Sequence, residues 1–160
     1  MTDLPETFDS EAGYRQAIEA TLAAARKEIR IFDRDLNRMG LETSAGADLL
    51  AAFLAGGTDR RIRIVVHYPD HLQQRFPRLL ALLRRHSHTI EIRRTPDHLQ
   101  SLADCGVLAD ERHGTLRTHA DHPRGKLVFD DPKQIHPWWQ RFDELWDACQ
   151  PCSPATAVGL

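Results

Sequence analysis

The chain has 160 residues, of which 41% are hydrophobic and 28% are charged, a composition typical of one globular domain. Its 21 basic and 23 acidic residues give a net charge of -2, so no global field attracts nucleic acid or an anionic membrane. No apolar run is long enough to span a bilayer, and three cysteines without a framework spacing indicate a reducing compartment, which predicts a soluble cytoplasmic protein.

Helical and strand patterns alternate through the first hundred residues. The predicted strands, which have alternating or β-branched apolar residues, are 28–33, 61–68 and 89–94. The predicted helices are 10–26 with an N-cap near Ser10, a segment from Ser44 to Gly56–Gly57, and a segment after Pro69 that breaks at Pro77.

The last sixty residues have a different pattern, in which strands follow one another. Residues 105–110 and 115–118 predict a hairpin around Gly114, and residues 126–130 predict a further strand. A helix is expected from Pro137 to Cys149, because its apolar residues recur at helical spacing.

These elements predict the fold class, an α/β protein that is a three-layer α/β/α sandwich. Consecutive strand–helix–strand units imply parallel strands with right-handed crossovers and helices on both faces, and the hairpin adds antiparallel strands. We therefore expect a mixed, mostly parallel sheet. One domain is expected over 10–149, between a flexible N-terminus at 1–9 and a disordered tail at 150–160.

The segment from Cys105 to Asp110, with the turn and strand after it, resembles part of the phospholipase D superfamily motif. In that family the strand carries His-x-Lys-x4-Asp. If Asp110 takes the Asp position, the His position falls on Ala103 and the Lys position on Cys105, and no His-x-Lys occurs anywhere in the chain. The resemblance implies a phospholipase D-like fold in a single degenerate half. It also implies that two halves, from tandem repeats or a dimer, would build one site.

Phosphoryl transfer needs a nucleophile and positive charge at the phosphoryl oxygens, and the aligned positions supply neither. We therefore predict a non-catalytic binding or dimerisation module. Its partners would be a second copy, another protein or a small anionic ligand; no cofactor or metal is expected, and nucleic acid is not an expected partner. The alternative is a divergent phosphodiesterase or other hydrolase that uses His67 or His98 with Asp110, which requires a His within hydrogen-bond reach of the carboxylate.

A ligand crevice is expected beyond the carboxyl ends of the parallel strands. The candidate residues, which would hold an anion mainly through His67 and Arg94, are Asp33, Asp35, His67, Arg94, His98 and Asp110. The alternative is that these residues are polar only because loops are exposed.

Two tryptophans in the last helix are interface candidates. Trp139 and Trp146 share one helix edge, and an exposed aromatic pair would indicate a partner surface, although core packing is the alternative. The arginine runs at 60–63 and 84–85 lack aromatic neighbours in the sequence and are expected to be solvated surface. The spacing of His119 and His122 matches no strong zinc signature. Cys149 and Cys152 have the spacing of a redox pair or half a zinc knuckle, but they follow a predicted helix C-terminus and no second CxxC occurs, so we expect the spacing to be incidental.

Overall fold

Eight strands and five α-helices make up residues 5–152, the part of the chain that this computed structural model describes. The strands are β1 (Thr7–Phe8), β2 (Glu28–Asp33), β3 (Arg61–Val66), β4 (Ile90–Arg94), β5 (Cys105–Ala109), β6 (His113–Arg117), β7 (Gly125–Val128) and β8 (Gln150–Cys152). The helices are α1 (Glu11–Ala24), α2 (Ser44–Ala55), α3 (Leu72–Arg75), α4 (Pro77–Arg85) and α5 (Pro132–Ala148), with a 3-10 turn at Asp97–Leu99. No helix in these residues has the length and apolar character needed to cross a bilayer.

All eight strands form one mixed sheet in the order β1-β7-β6-β5-β2-β3-β4-β8. The predicted α/β fold class is confirmed. Only β2–β3 and β3–β4 are parallel, so the parallel part is smaller than expected, two of the seven pairings. The reason is that the β5–β6–β7 meander joins β2 in the antiparallel sense, and two short antiparallel strands complete the edges.

The two faces of the sheet are covered unequally. Alternate residues of the central strands point to opposite faces, so Ile29 and Ile31 lie in register with Ile62 and Ile64 in the larger core, beneath α1 to α4. On the other face, α5 packs on a smaller core that includes Phe32 and Val65. One helix therefore covers much less of the sheet than the four helices opposite it.

Local capping explains where three of the helices begin. Ser10 accepts a hydrogen bond from the Gly13 N–H at 3.0 Å, as the prediction of an N-cap there requires. Thr43, one residue before the predicted Ser44, caps α2. The last helix starts at Pro132, five residues before the predicted start, because Asp131 caps it and proline is favourable in a first turn. Pro137 then lies inside the helix.

The ordered part of the chain extends beyond the expected 10–149 at both ends. Thr7 pairs with Lys126, and Cys152 pairs with Ile92, so the expected flexible N-terminus and tail each contain a strand. These strands have two and three residues, too few for a period to be visible in the sequence. Residues 1–4 and 153–160 of the two predicted segments lie outside the described residues.

Candidate functional site

The motif positions identified by resemblance lie at the edge where the parallel strands end. β5 runs antiparallel to β2, with Gly106 opposite Phe32, so Cys105 lies beside Asp33 at the carboxyl end of β2, and Ala103 lies two residues before β5 begins. A catalytic pair at these positions would have faced the crevice beyond the parallel strands, and the chain has Ala and Cys there.

Asp110 lies at the opposite end of the sheet. Its Oδ1 accepts the Lys27 and Glu28 N–H groups at 2.8 and 3.0 Å, and its Oδ2 accepts the Arg26 N–H at 2.8 Å. Asp110 therefore joins the hairpin turn to the connection between α1 and β2. Its inclusion among the candidate ligand residues is wrong, because the antiparallel register of β5 carries it away from the strand ends.

Four buried side chains, which we call the strand-end cluster, lie together at the edge where the parallel strands end: Tyr14, Asp33, Cys105 and Arg117. The Tyr14 hydroxyl donates a hydrogen bond to the Cys105 Sγ at 3.4 Å. The Asp33 Oδ2 accepts the Leu36 N–H at 2.6 Å, which fixes the loop after β2. The cluster lines a cavity of about 30 Å³, enough for one water-sized group.

Burial raises the pKa values of the three acidic groups in this cluster. It raises the pKa of the Cys105 thiol to about 12 and raises the pKa of Asp33, because both charged forms lose solvation. The pKa of Tyr14 is raised well above its ordinary value for the same reason. A thiol in this state is not a nucleophile near neutral pH.

Arg117 is the buried cation of the cluster, and its guanidinium N–H groups already make hydrogen bonds within the protein. Its Nη1 and Nη2 donate to the Glu11 Oε1 and Oε2 at 2.8 and 2.9 Å. Other N–H groups bind the carbonyls of Ala120 and His122 at 2.6 and 3.0 Å, and the guanidinium lies 4.7 Å from the Tyr14 ring centroid. Arg117 therefore ties α1 to the end of β6 and is not available to hold a phosphate.

The rim of the cavity holds two cations that reach solvent. The Arg34 Nη1 lies 3.2 Å from the Asp121 Oδ1, and both side chains are substantially exposed. Arg38 donates to the Ala120 carbonyl and lies 4.0 Å from a Glu11 carboxylate oxygen. These rim contacts can be exchanged for contacts with an added anion or with a second molecule, unlike those of Arg117.

His67 lies at the predicted edge of the sheet, but both nitrogens of its ring hydrogen-bond to other parts of the protein. Its Nε2 lies 2.8 Å from the Leu102 carbonyl, which can only accept, so Nε2 is the donor. In the neutral ring, Nδ1 then accepts from the Thr95 hydroxyl at 2.7 Å. Because the side chain is buried and both nitrogens are used, His67 joins the ends of β3 and β4 to the following loop and cannot also bind an anion.

The remaining candidates at this edge are only partly brought together. Asp35 lies two residues after Asp33 and accepts the Asn37 N–H, and its carbonyl lies 2.8 Å from the His71 Nε2. Arg94 and His98 are exposed at the end of β4 and in the turn after it. Sequence reasoning missed Tyr14, Arg38 and Arg117, whose neighbours lie far away along the chain.

The hydrolase alternative requires His67 or His98 beside Asp110, and this arrangement does not occur. His67 follows the carboxyl end of β3, while Asp110 binds the N–H of Glu28, the first residue of the parallel neighbour β2. Six strand residues separate these two ends, a length of about 20 Å. His98 lies beyond the same carboxyl ends as His67, so that pairing is wrong as well.

The two interface candidates, Trp139 and Trp146, do not form an exposed pair. Trp146 is buried, stacks on Phe142 with ring centroids 5.9 Å apart, and contacts arginines of β3 and β4. Trp139 is half-buried beneath the Arg30 guanidinium, whose carbon lies 3.7 Å from the ring centroid. The arginine run at 60–63 also has aromatic neighbours, because Arg60 lies over Phe53 and Arg63 over Trp146.

The other sequence clusters show no geometry for metal binding. Within residues 5–152, no group of three or more His, Cys, Asp or Glu side chains is arranged to hold a metal ion. The His119 and His122 rings contact each other with centroids 5.0 Å apart. Cys149 ends α5 and Cys152 ends β8, and both are free thiols.

The fold is similar to several solved structures at low sequence identity. TrmBL2, an archaeal chromatin protein whose structure shows a mode of DNA binding, superposes with a TM-score of 0.65 at 14% identity over 95% of this chain and 56% of that chain. Nuc, a phospholipase D family member from Salmonella typhimurium, gives 0.60 at 12% identity over 86% of this chain and 90% of that chain. Phosphatidylserine synthase from Haemophilus influenzae gives 0.64 at 16% identity over 98% of this chain and 42% of that chain.

These likenesses establish the phospholipase D-like fold and nothing finer. The chain spans little more than half of TrmBL2 and less than half of the synthase. A search of curated proteins gives no match. A family model matches residues 10–157, and the chain therefore belongs to the family described as Domain of unknown function (DUF7931).

Proposed function

We propose that this chain is a non-catalytic phospholipase D-like module that works by binding and self-assembly. One observation carries the proposal: the position aligned with the catalytic Lys is Cys105, a buried thiol that accepts a hydrogen bond from Tyr14. Its pKa of about 12 leaves it neutral, so neither a nucleophile nor a cation acts at this position.

The other contacts of the site also support a non-catalytic module. Arg117, the one buried cation of the strand-end cluster, is held by both oxygens of Glu11 and by backbone carbonyls. His67 has both ring nitrogens engaged. The fully buried polar groups at this edge thus stabilise the fold, and only the exposed rim remains for a ligand or partner.

The rim supports assembly as a homodimer through the strand-end edge. In the phospholipase D superfamily, which the motif segment resembles, two halves build one site, and the synthase of similar fold is more than twice the length of this chain. Arg34 and Asp121 form an exposed pair that a two-fold related copy can exchange, with each Arg34 binding the other chain's Asp121. A small anion would bind at the mouth of the same cavity, to Arg34 and Arg38.

The catalytic part of the proposal is tested with bis(p-nitrophenyl) phosphate, an activated phosphodiester. We expect no release of p-nitrophenol above a buffer blank for the wild-type chain. Cys105→Ser and His98→Ala are the matched variants, the first at the motif position and the second at the exposed histidine. Turnover by the wild type that either substitution abolishes would overturn the proposal.

The assembly part is tested by light scattering over a range of concentration. A dimer of the 18.2 kDa chain is expected, and Arg34→Glu should convert it to a monomer by placing like charges opposite each other. Arg84→Glu, at an exposed position at the end of α4, is the control and should leave the dimer intact. A wild-type monomer at every concentration would contradict self-assembly.

A further inference from the structure

A row of arginines crosses the sheet face that α5 leaves partly uncovered. Arg30, Arg63 and Glu91 lie side by side in register on β2, β3 and β4, and Arg61 lies two residues before Arg63 on the same face. Arg93 is on that face as well, one pleat further along β4. This face is opposite the strand-end cluster, so a site here is distinct from the one in the proposed function.

The carboxylates near these arginines already form ion pairs with three of them. Glu28 binds the Nε atoms of Arg30 and Arg61, at 2.6 and 2.8 Å. Asp143 of α5 lies 3.0 Å from the Arg30 Nη2, and Glu91 lies 2.9 Å from the Arg93 Nε. Three acids therefore serve three of the four arginines, and the local charge is one positive unit in excess.

Arg63 carries that excess. Among residues 5–152 it makes no hydrogen bond or ion pair, and its guanidinium carbon lies 5.3 Å from the Trp146 ring centroid. No buried, unbonded side-chain nitrogen occurs in that part of the chain, so the nitrogens of Arg63 reach solvent. Partial burial and the neighbouring Arg61 lower the pKa of Arg63, as expected for a cation without a counter-ion.

We propose that Arg63, with Arg61 and Arg93 beside it, binds a small phosphate-bearing anion on this face. Within the described residues, all five N–H groups of Arg63 are free. The Nε atoms of Arg61 and Arg93 donate to Glu28 and Glu91. Both terminal nitrogens of Arg61 have no hydrogen-bond partner among the described residues. Arg93 gives one terminal nitrogen to the Trp146 carbonyl at 2.9 Å and keeps the other.

This distribution of donors favours phosphate over a carboxylate. The free N–H groups come from three guanidiniums on two strands, and a tetrahedral phosphate offers an oxygen to each of them. A carboxylate has two coplanar oxygens and satisfies only one guanidinium fork at a time. Trp146 packs beneath Arg63 and Arg93 and limits the rotamers that either guanidinium can adopt.

The test is a calorimetric titration of the full chain with inorganic phosphate at low ionic strength, where screening is weakest. Wild-type protein should bind phosphate on this face, separately from any binding at Arg34 and Arg38, so the compared quantity is the affinity that depends on Arg63. Arg63→Gln should weaken binding by about tenfold or more, because the guanidinium with the most donors to offer is lost. Arg63→Lys should also weaken it, since the ammonium keeps the charge but not the fork. Arg84→Gln, on an exposed helix end, is the matched control and should bind as the wild type does.

Thermal melts of the three variants without phosphate show whether each is folded under the titration conditions. Titration with acetate is the second arm, and its binding should be weaker than that of phosphate. Four results would overturn the proposal: no phosphate binding by the wild type, wild-type affinity in folded Arg63→Gln or Arg63→Lys, equal losses in Arg84→Gln, or acetate binding as tight as phosphate binding.

Discussion

Glu11 and Arg117 form a two-bond ion pair between the first turn of α1 and the last residue of β6, with N–O distances of 2.8 and 2.9 Å. Arg117 is fully buried, whereas Glu11 is about one-third exposed. The pair closes the strand-end cluster from the side of α1. Its two members therefore contribute unequally to the stability of the fold.

Arg117→Met should lower the free energy of unfolding by about 3 kcal/mol, since it leaves Glu11 and several carbonyls without their donor. Glu11→Gln should cost less, about 1–2 kcal/mol, because water reaches the carboxylate and screens the pair. Urea denaturation at pH 7 measures both. Glu19→Gln on the same helix is the control, and equal losses for Glu11→Gln and Glu19→Gln would contradict the assignment.

The same ion pair makes the free energy of unfolding fall at acidic pH. The hydrogen bond from Arg117 lowers the pKa of Glu11 below its ordinary value, so the unfolded chain binds the proton more readily than the folded chain. The stabilisation is present above the unfolded pKa and is lost as pH falls through the lowered value. Glu11→Gln should therefore lose less stability than the wild type between pH 5 and about pH 3, as measured by urea unfolding.

Asp33 should affect stability in the opposite sense. Burial raises its pKa in the folded chain, so the folded state holds the proton more tightly than the unfolded state. This contribution is present at low pH and is lost as pH rises through the raised pKa. Asp33→Asn, which keeps an oxygen for the Leu36 N–H, should gain stability relative to the wild type as pH increases from about 4 to 7.

Asp48→Asn, at an exposed position of α2, is the matched control for that series. Its stability difference from the wild type should stay constant over the same pH range. A constant difference for Asp33→Asn as well would show that the buried carboxyl has the same pKa in both states.

Asp110 is expected to matter for folding rather than for chemistry. Asp110→Ala should lower the free energy of unfolding by about 2–3 kcal/mol, since three backbone N–H groups lose an acceptor and alanine is strained at a φ of 57°. Asp110→Asn should cost about half as much, because asparagine tolerates this backbone conformation. Chemical denaturation measures both.

Glu111 provides a matched position, since it has a φ of 56° in the same turn and, within residues 5–152, its carboxylate bonds to the exposed His136 alone. Glu111→Asn should change the free energy of unfolding by less than about 0.5 kcal/mol. A change as large as that of Asp110→Ala would mean that the turn conformation, and not the three N–H contacts, is the cause.

The two candidate interface tryptophans should behave as core residues of unequal depth. Trp146→Ala should cost about 3–5 kcal/mol, the usual range for a buried aromatic side chain, whereas the half-buried Trp139 should cost less. Light scattering should show the wild-type mass for both folded variants. A folded Trp146→Ala that loses its partner without losing stability would restore the interface hypothesis.

Local signals were sufficient to predict the parts of the fold that depend on short stretches of chain. Three central strands, the break at Pro77 and the Ser10 cap each rest on residues within one or two turns. The position of Asp110 depends instead on the register of β5 against β2, a pairing between residues about eighty positions apart. No local pattern encodes that direction, and so the predicted crevice combined groups from opposite ends of the sheet.

The site was predictable only where it followed from strand order. Asp33 and Asp35 could be placed because the first ends a strong strand and the second lies two residues beyond it. Arg117 looked like an ordinary residue of a short hairpin strand, although its acceptors are Glu11 and three carbonyls after β6. The burial of Trp146 depends on how α5 packs on β3 and β4, where Arg63 and Arg93 contact its ring, and the periodicity of the helix does not encode that packing.

The first and last strands of the described chain, β1 and β8, lie at opposite edges of the sheet, with six strands between them. Their separation along the sheet is about 34 Å at the usual strand spacing. A tension applied between these strands acts across the ladders, so hydrogen bonds would break one after another instead of all at once. The domain should therefore unfold at low force when it is pulled between residues 7 and 152, although its central strands are buried on both faces.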